Sequence, residues 1–237
     1  MYSPNKENKE SFVQGMFNSI ASKYDFMNSL MSLGLDKKWR KELVAQLGNI
    51  DGKYGVDFCC GTGKLTIALA HTVGNNGQMT GLDFSEGMLA IARQDVCPKN
   101  KSIKFVQGNA ISSPFNNDSF DFATVAWGLR NVRDISQALS EMVRVVKSGG
   151  TVVSIDMAQP EQPMLRKLYW FLFATIIPLM GRIIASNKNA YGYLYNSVRE
   201  FPKQEKLSQM FRDAGLVNVS CQNLSGGIVA IIRGQKP

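Results

Sequence analysis

Between Tyr54 and Asp156 short apolar runs alternate with segments patterned as helices, and this alternation constrains the fold more than any other feature of the chain. Tyr54–Phe58 runs directly into a glycine turn and reads as a strand. Leu65–Val73 reads as a helix and Gln78–Phe84 as a second strand. The next helix, Ser85–Gln94, has Ser85 as its N-cap and sets Met88, Ile91 and Ala92 on one face. Ile103–Gln107 and Phe120–Ala126 are strands three and four, and Ile135–Lys147 is a helix stopped by Gly149-Gly150. Thr151–Asp156, rich in β-branched residues, is the fifth strand. Five strands in about 100 residues with helices between them predict an α/β fold with a mainly parallel, doubly wound sheet.

The flanks complete one domain over 1–237. Ser11–Leu47 is helical, so residues 1–50 form an N-terminal helical cover. Met157–Phe201 is expected to be an irregular, lid-like insert. A helix, Gln204–Ala214, ends at Gly215, and Leu216–Cys221 and Ile228–Arg233 pair closely around Gly226-Gly227 as an antiparallel ending. A chain of 237 residues can bury a sizeable core without disulfides or metals.

Cysteine and histidine usage excludes several chemistries. The four cysteines (Cys59, Cys60, Cys97, Cys221) form no CxxC pair, so neither a zinc knuckle nor a dense disulfide framework is expected. The single histidine, His71, rules out HExxH and multi-histidine metal sites, and no GxSxG accompanies it, so no metal is expected. The N-terminus lacks an apolar signal region. The most apolar stretch, Leu168–Gly181, is 14 residues long and contains Pro178, whereas a spanning helix needs about 20. The expected compartment is the cytoplasm.

Val56-Asp57-Phe58-Cys59-Cys60-Gly61-Thr62-Gly63-Lys64 is a strand, a glycine turn and a helix start. Open α/β sheets bind ligands at this carboxyl edge, where glycines let the backbone approach the ligand. Asp83 follows Gly61 by 22 residues and ends the second strand, the position for an acidic residue that takes a ribose diol. Thr66 stands where a dinucleotide fingerprint carries its third glycine, which counts against NAD. No GxxxxGK[ST] is present, which counts against a P-loop. An ordinary tight turn remains the alternative.

Further on come Gly108-Asn109-Ala110, Pro114-Phe115, Phe120-Asp121-Phe122 and Arg144-Val145-Val146-Lys147-Ser148-Gly149-Gly150. With the glycine turn, this succession resembles class I S-adenosylmethionine-dependent methyltransferases. Narrower still, Met16-Phe17-Asn18-Ser19-Ile20-Ala21-Ser22-Lys23-Tyr24-Asp25-Phe26-Met27-Asn28 resembles the opening signature of the ubiquinone/menaquinone biosynthesis C-methyltransferases. Gly34 with Trp39, Asp83-Phe84-Ser85, Gly128-Leu129-Arg130-Asn131-Val132, Tyr193-Leu194 and Gly226-Gly227-Ile228-Val229-Ala230 fit the same family, from about residue 12 to the end. Cys59-Cys60-Gly61-Thr62-Gly63 resembles its menaquinone branch.

The resemblance implies a Rossmann-like, seven-stranded sheet with an antiparallel last strand and S-adenosylmethionine as cofactor. Gly61, Thr62 and Gly63 would underlie its methionine and ribose, Asp83 and Phe84 the ribose edge, and Asn109 and Ala110 the adenine. The implied reaction is C-methylation of a polyprenyl naphthoquinol, demethylmenaquinol becoming menaquinol. A ubiquinone-pathway benzoquinol, another acceptor (a sterol, a phenol, an RNA base) and a non-catalytic nucleotide-binding scaffold are the other readings. A ring carbon is nucleophilic only when the quinone is reduced and a ring hydroxyl is deprotonated. Arg130, a permanent cation after the fourth strand, suits the developing oxyanion. Asn131 suits ring orientation, and Tyr24 with Asp25 suits pocket closure or proton relay, against a plain packing and capping role. Cys59 and Cys60 read as small packing residues, and Trp127 as either a stacking or a core residue. Lys64 opposes the dipole at a helix start unless it faces solvent.

The net charge of +8 is not spread evenly. Residues 51–100 hold 4 basic and 5 acidic groups, so the excess lies in the ends and the insert. In the insert, Leu168, Tyr169, Trp170, Phe171, Phe173, Ile176 and Ile177 lie between Arg166, Lys167 and Arg182. This segment reads either as a helix packed on the sheet or as an apolar lid for a prenyl tail with basic ends near lipid head groups. Peripheral contact with an anionic membrane surface, at its inner face, is the expected charge partner. No nucleic-acid partner is expected, and a homo-oligomer is left open.

Overall fold

The computed structural model describes residues 9–96, 102–184 and 188–237, with side chains over 176–191 outside the described set. Cys97, Ile176, Ile177 and Arg182 therefore fall outside what is described, as does the stretch 1–8 of the N-terminal cover. In chain order the elements are α1 Lys9–Met31, α2 Leu35–Ala45, β1 Tyr54–Phe58, α3 Lys64–Val73, β2 Gln78–Asp83, α4 Glu86–Asp95, β3 Ile103–Gln107 and β4 Phe120–Ala126. There follow a 3₁₀ turn Leu129–Asn131, α5 Ile135–Val145, β5 Val146–Met157, α6 Pro163–Ile184, α7 Lys188–Glu200, α8 Gln204–Asp213, β6 Val217–Leu224 and β7 Val229–Gln235.

The sheet order is β3-β2-β1-β4-β5-β7-β6. The ladders among β3, β2, β1, β4 and β5 are parallel, and β7 is antiparallel to both β5 and β6. The order reverses direction between β1 and β4, so the loops after these two strands diverge and open a crevice at the carboxyl edge. Both sheet faces are covered. Val56, Phe58, Ala123 and Val125 pack under Leu139, Met142 and Val145 of α5 and Phe211 of α8. On the other face Met79, Phe122, Val153 and Ile155 pack under Trp39, Leu43, Leu65 and Leu69. Strands buried on both faces carry near-continuous apolar runs, as β1 and β4 do. Ser85 caps α4 by accepting from Met88 N at 3.2 Å, and Asp134 caps α5 by accepting from Gln137 N at 3.1 Å.

Two expectations need correction. The α5 helix does not run to Lys147: it ends at Val145, and the fully buried Val146 opens β5 opposite Phe120. The ladder then shifts register, resuming at Phe122–Thr151 across the glycine pair. A Cβ on Gly150 would lie 2.4 Å from Val146 Cγ1 and 2.6 Å from the Asp121 carbonyl, so this reversal needs glycine for packing rather than as a helix stop. The insert is not irregular either. It folds as α6 and α7, and Tyr169 and Phe173 bury against Met27 of α1 and Val198 of α7. A run of large apolar residues without turn signals sustains a helix once another helix covers one face.

The N-terminal helix crosses the carboxyl edge of the sheet. Gln14 Nε2 donates to the Phe84 carbonyl (2.7 Å), and Asn18 Oδ1 accepts from Ser85 Oγ (2.6 Å) and Gly87 N (3.1 Å). Thr62 Oγ1 donates to Asp25 Oδ1 (2.6 Å), and Lys9 Nζ donates to the Val132 carbonyl (2.7 Å).

The tightest sheet contact generates a test. A Cβ on Gly55 would fall 2.2 Å from Phe122 Cζ and 2.7 Å from Met79 Sδ. Gly55→Ala is expected to cost ~1–3 kcal/mol by urea denaturation, with Phe122→Leu in the same chain recovering part of the loss.

Candidate functional site

Beyond β1 the chain turns sharply, with Cys59 at φ 52°, Gly61 at 55° and Gly63 at 77°. The turn is held from both sides. Cys60 N donates to the Leu82 carbonyl (3.0 Å), and Gly61 N donates to Asp83 Oδ2 (2.8 Å). Asp83 Oδ1 accepts from Ser85 N (2.9 Å), so one buried carboxylate ties the turn to the start of α4. Burial pushes the Asp83 carboxyl up to about 6, against the pull of its backbone N–H donors. A Cβ on Gly61 would meet nothing within 4 Å, so the turn faces open space that a ligand can fill. Gly63 differs: its Cβ would lie 2.9 Å from the Phe105 ring.

Two grooves meet over this turn. The first is lined by Gly61, Asp83, Phe84, Met88, Asn109, Ala110 and, toward the second, Tyr24, Trp127 and Asn131. The second is lined by Asp57, Cys60, Thr62, Lys64, Arg40 and again Tyr24 and Trp127. Tyr24, Cys59, Gly61, Ala126 and Trp127 form the shared boundary. Five of the seven residues expected to hold a cofactor, Gly61, Asp83, Phe84, Asn109 and Ala110, thus line one groove, and Thr62 lines its neighbour. Gly63 lines neither and serves the packing of α3 on β3. Asn109 reaches Glu10 of α1 through its Nδ2 (3.2 Å). Lys64 faces solvent and is paired there. Its Nζ lies 2.6 Å from Asp95 and 3.5 Å from Asp25, which offsets the unfavourable dipole. His71 is exposed near the end of α3 and lines neither groove.

Asp57 was not singled out from the sequence. Fully buried, it accepts from Thr66 Oγ1 (2.7 Å) and Thr124 Oγ1 (2.9 Å), and desolvation pushes its carboxyl to about 7. An acidic residue inside an apolar strand, two residues before the turn, was the available signal.

After β4, Trp127 sits at φ 54°, a left-handed conformation that a bulky residue adopts only under constraint. Its carbonyl collects two donors, Arg130 Nη1 (2.8 Å) and Asn131 Nδ2 (3.0 Å). Its ring lies 6.5 Å from Trp39 and under the Arg40 guanidinium, so it both packs and lines the grooves. Arg130 is not a surface arginine. Its side chain is 9% exposed, and Nη1 lies 2.5 Å from Oδ1 of Asp156, whose side chain is 2% exposed. Burial raises the Asp156 carboxyl against the guanidinium's pull, while that same pair holds Arg130 charged. Removing the guanidinium would strand a buried carboxylate at a cost of ~3–5 kcal/mol.

Around this pair several polar atoms lack partners. Arg130 Nε, Asp156 Oδ2, Tyr169 Oη and Tyr193 Oη are buried without a hydrogen bond, four of the five such side-chain atoms among the described residues. Each costs ~1–3 kcal/mol while unmet. Tyr24, partly buried and bonded to Asn28, faces the same guanidinium, and burial pushes its phenol up. Asp156 and Tyr169 were legible only as a carboxylate at a strand end and an aromatic in the apolar insert, and Tyr193 only as half of the Tyr193-Leu194 pair.

Residues 5–236 match the ubiE/COQ5 methyltransferase family. Over 233 residues the chain is 50% identical to a demethylmenaquinone methyltransferase of Desulfitobacterium hafniense, covering 98% of this chain and 92% of that one. It is 43% identical to the protein of that name from Shouchella clausii (98% and 99% covered) and 40% identical to that of Staphylococcus aureus (98% and 95%). Among solved structures it resembles a SAM-dependent methyltransferase of Thermotoga maritima described as a possible histamine N-methyltransferase. There the TM-score is 0.68 with 20% identity, covering 95% of this chain and 100% of that one. A SAM-dependent methyltransferase of Aquifex aeolicus gives a TM-score of 0.62 with 16% identity, covering 84% and 89%. At such identities the structural likeness is one of fold, the seven-stranded sheet with antiparallel β7. The sequence match, nearly end to end, carries more: the chain belongs to the ubiE/COQ5 methyltransferase family.

Proposed function

We propose that this protein transfers the methyl group of S-adenosylmethionine to a ring carbon of a polyprenyl naphthoquinol, converting demethylmenaquinol to menaquinol. The observation that carries this reading is the full-length match to relatives bearing that activity's name. The site's chemistry supports it. S-adenosylmethionine, when bound, supplies an electrophilic methyl on a sulfonium. Asp83 accepts the ribose diol, Phe84, Asn109 and Ala110 flank the adenine, and the Gly61-Thr62-Gly63 turn backs the methionine. Asp57, a buried carboxylate lining the second groove, receives the ammonium. Arg130 stabilises negative charge on the quinol oxygen, Asn131 orients the ring and Tyr24 closes the boundary between the grooves. Alignment of carbon, methyl and sulfur supplies a large share of the rate enhancement.

The quinol's tail places the reaction beside a membrane. Among the described residues no helix is long and apolar enough to cross one. The outward face of α6 nevertheless exposes Met164, Leu165, Leu168, Phe171 and Leu172 beside Lys167. At the neighbouring end of α1, Phe26 and Leu33 are 64% and 87% exposed. This face rests on the head-group layer of an anionic membrane.

Three tests follow. With labelled S-adenosylmethionine, reduced demethylmenaquinone and a benzoquinol side by side, label is expected on the naphthoquinol first. Transfer to neither quinol ends the proposal. Cofactor affinity should hold above about pH 6 and weaken as pH falls through it, because protonated Asp83 loses its acceptor character. Asp83→Asn should weaken cofactor binding about tenfold in calorimetry and flatten that pH dependence. At low salt, vesicles containing anionic lipid should sediment the protein and neutral ones should not, and equal binding to both would remove the charge argument.

A further inference from the structure

The orphaned atoms around the Arg130–Asp156 pair resemble a site built for something with two oxygens. Asp156 Oδ1 is committed, accepting from Arg130 Nη1 (2.5 Å) and from Met157 N (2.8 Å). Its Oδ2 is buried and unmet, as are Arg130 Nε and the hydroxyls of Tyr169 and Tyr193. These residues come from four elements that the fold brings together. Asp156 is at the carboxyl end of β5, Arg130 in the turn after β4, Tyr169 on α6 and Tyr193 on α7. Trp127, Gly128 and Asn131, next to Arg130 in the chain, line the first groove, so the turn that carries Arg130 borders that groove. One buried acceptor, one cationic donor and two phenols that both donate and accept form a matching set for a 1,4-hydroquinone.

We propose that Asp156, Arg130 Nε, Tyr169 and Tyr193 form the quinol headgroup site, with Asp156 Oδ2 as the base that takes the proton from the ring hydroxyl adjacent to the methylated carbon. This rests on the quinol reading above and names the residues that would execute it. Arg130 Nε donates to the oxygen that is losing its proton. The two phenols meet the hydroxyl across the ring. The balance closes in two steps. Asp156 takes the hydroxyl proton while the ring carbon bonds the methyl carbon, and the methyl–sulfur bond breaks with its electron pair left on sulfur. The methylated carbon then loses its hydrogen as a proton to solvent, and Asp156 returns its proton to the ring oxygen, restoring the aromatic quinol. The net product is the methylated quinol, the thioether and one proton.

The electrostatics of the pocket favour this role. Burial raises the Asp156 carboxyl and so strengthens it as a base, while the Arg130 guanidinium pulls the other way. The other titratable groups around the cluster are Tyr24 on α1, Tyr169 on α6, Tyr193 and Glu200 on α7, and the Cys59 thiol after β1. Burial pushes the Tyr169 and Tyr193 phenols up, Tyr193 to about 12, so both remain donors.

The test uses the full chain with a short-chain prenyl naphthohydroquinone kept reduced by dithionite. Asp156→Asn should lower kcat about 100-fold and remove the acid limb of the kcat–pH profile, with cofactor affinity by calorimetry unchanged. Tyr169→Phe and Tyr193→Phe, which keep the ring packing, should each raise the quinol KM about fivefold and leave cofactor affinity and the melting temperature alone. If Asp156→Asn does not fold, the two phenylalanine variants still decide. Wild-type turnover and pH profile in Asp156→Asn overturn the base assignment. Phenylalanine variants that lower the melting temperature but leave KM unchanged make the cluster a structural knot and overturn the site. A wild-type protein that methylates no quinol overturns the quinol reading and this site together, whereas normal wild-type turnover with indifferent variants overturns the site alone.

Discussion

The Asp83 carboxylate is the joint on which the rest of the site depends. Its two oxygens hold Gly61 N and Ser85 N, which fixes the glycine turn against the start of α4. Ser85 in turn caps α4 and donates to Asn18, so the chain of bonds continues into α1 across the carboxyl edge. Gln14 and Thr62–Asp25 add contacts on either side. One buried charge thus organises the cofactor groove and the helix that roofs it. Its burial raises its own pKa, and the backbone N–H groups keep the carboxylate usable near neutrality.

The second organising pair, Arg130–Asp156, serves the other side of the crevice. A buried ion pair contributes little net stability by itself, because desolvation cancels much of its attraction. Here it ties the turn after β4 to the carboxyl end of β5. The strained Trp127 carbonyl, which takes donors from both Arg130 and Asn131, shows where the backbone bears the cost of that tie.

Much of this was legible in the sequence, for identifiable reasons. β1, β2 and β4 are short, buried on both faces and flanked by caps or glycine turns, so the pattern and the boundaries agree. Asp83 could be placed at the turn because its distance from the glycines is set by one helix and one strand. The α5–β5 border could not be placed, because Val145 and Val146 suit either state and only burial against Phe120 decides. The insert read as irregular because the apolar residues of α6 face both inward and outward, which blurs the helical period. The cluster around Arg130 and Asp156 was hidden more deeply. Its members are spread from residue 130 to 193 and become a group only when the insert folds back onto the strand ends.

Cys59 borders both grooves and Cys60 the second, so two thiols stand at the glycine turn where the grooves meet. A thiolate there would be a better nucleophile than any quinol carbon. Burial, together with the carboxylates of Asp83 and Asp57, drives both thiols well above their ordinary range, so they stay protonated. Burial first, and the two neighbouring carboxylates second, thereby keep these thiols from competing as nucleophiles for the methyl group of S-adenosylmethionine.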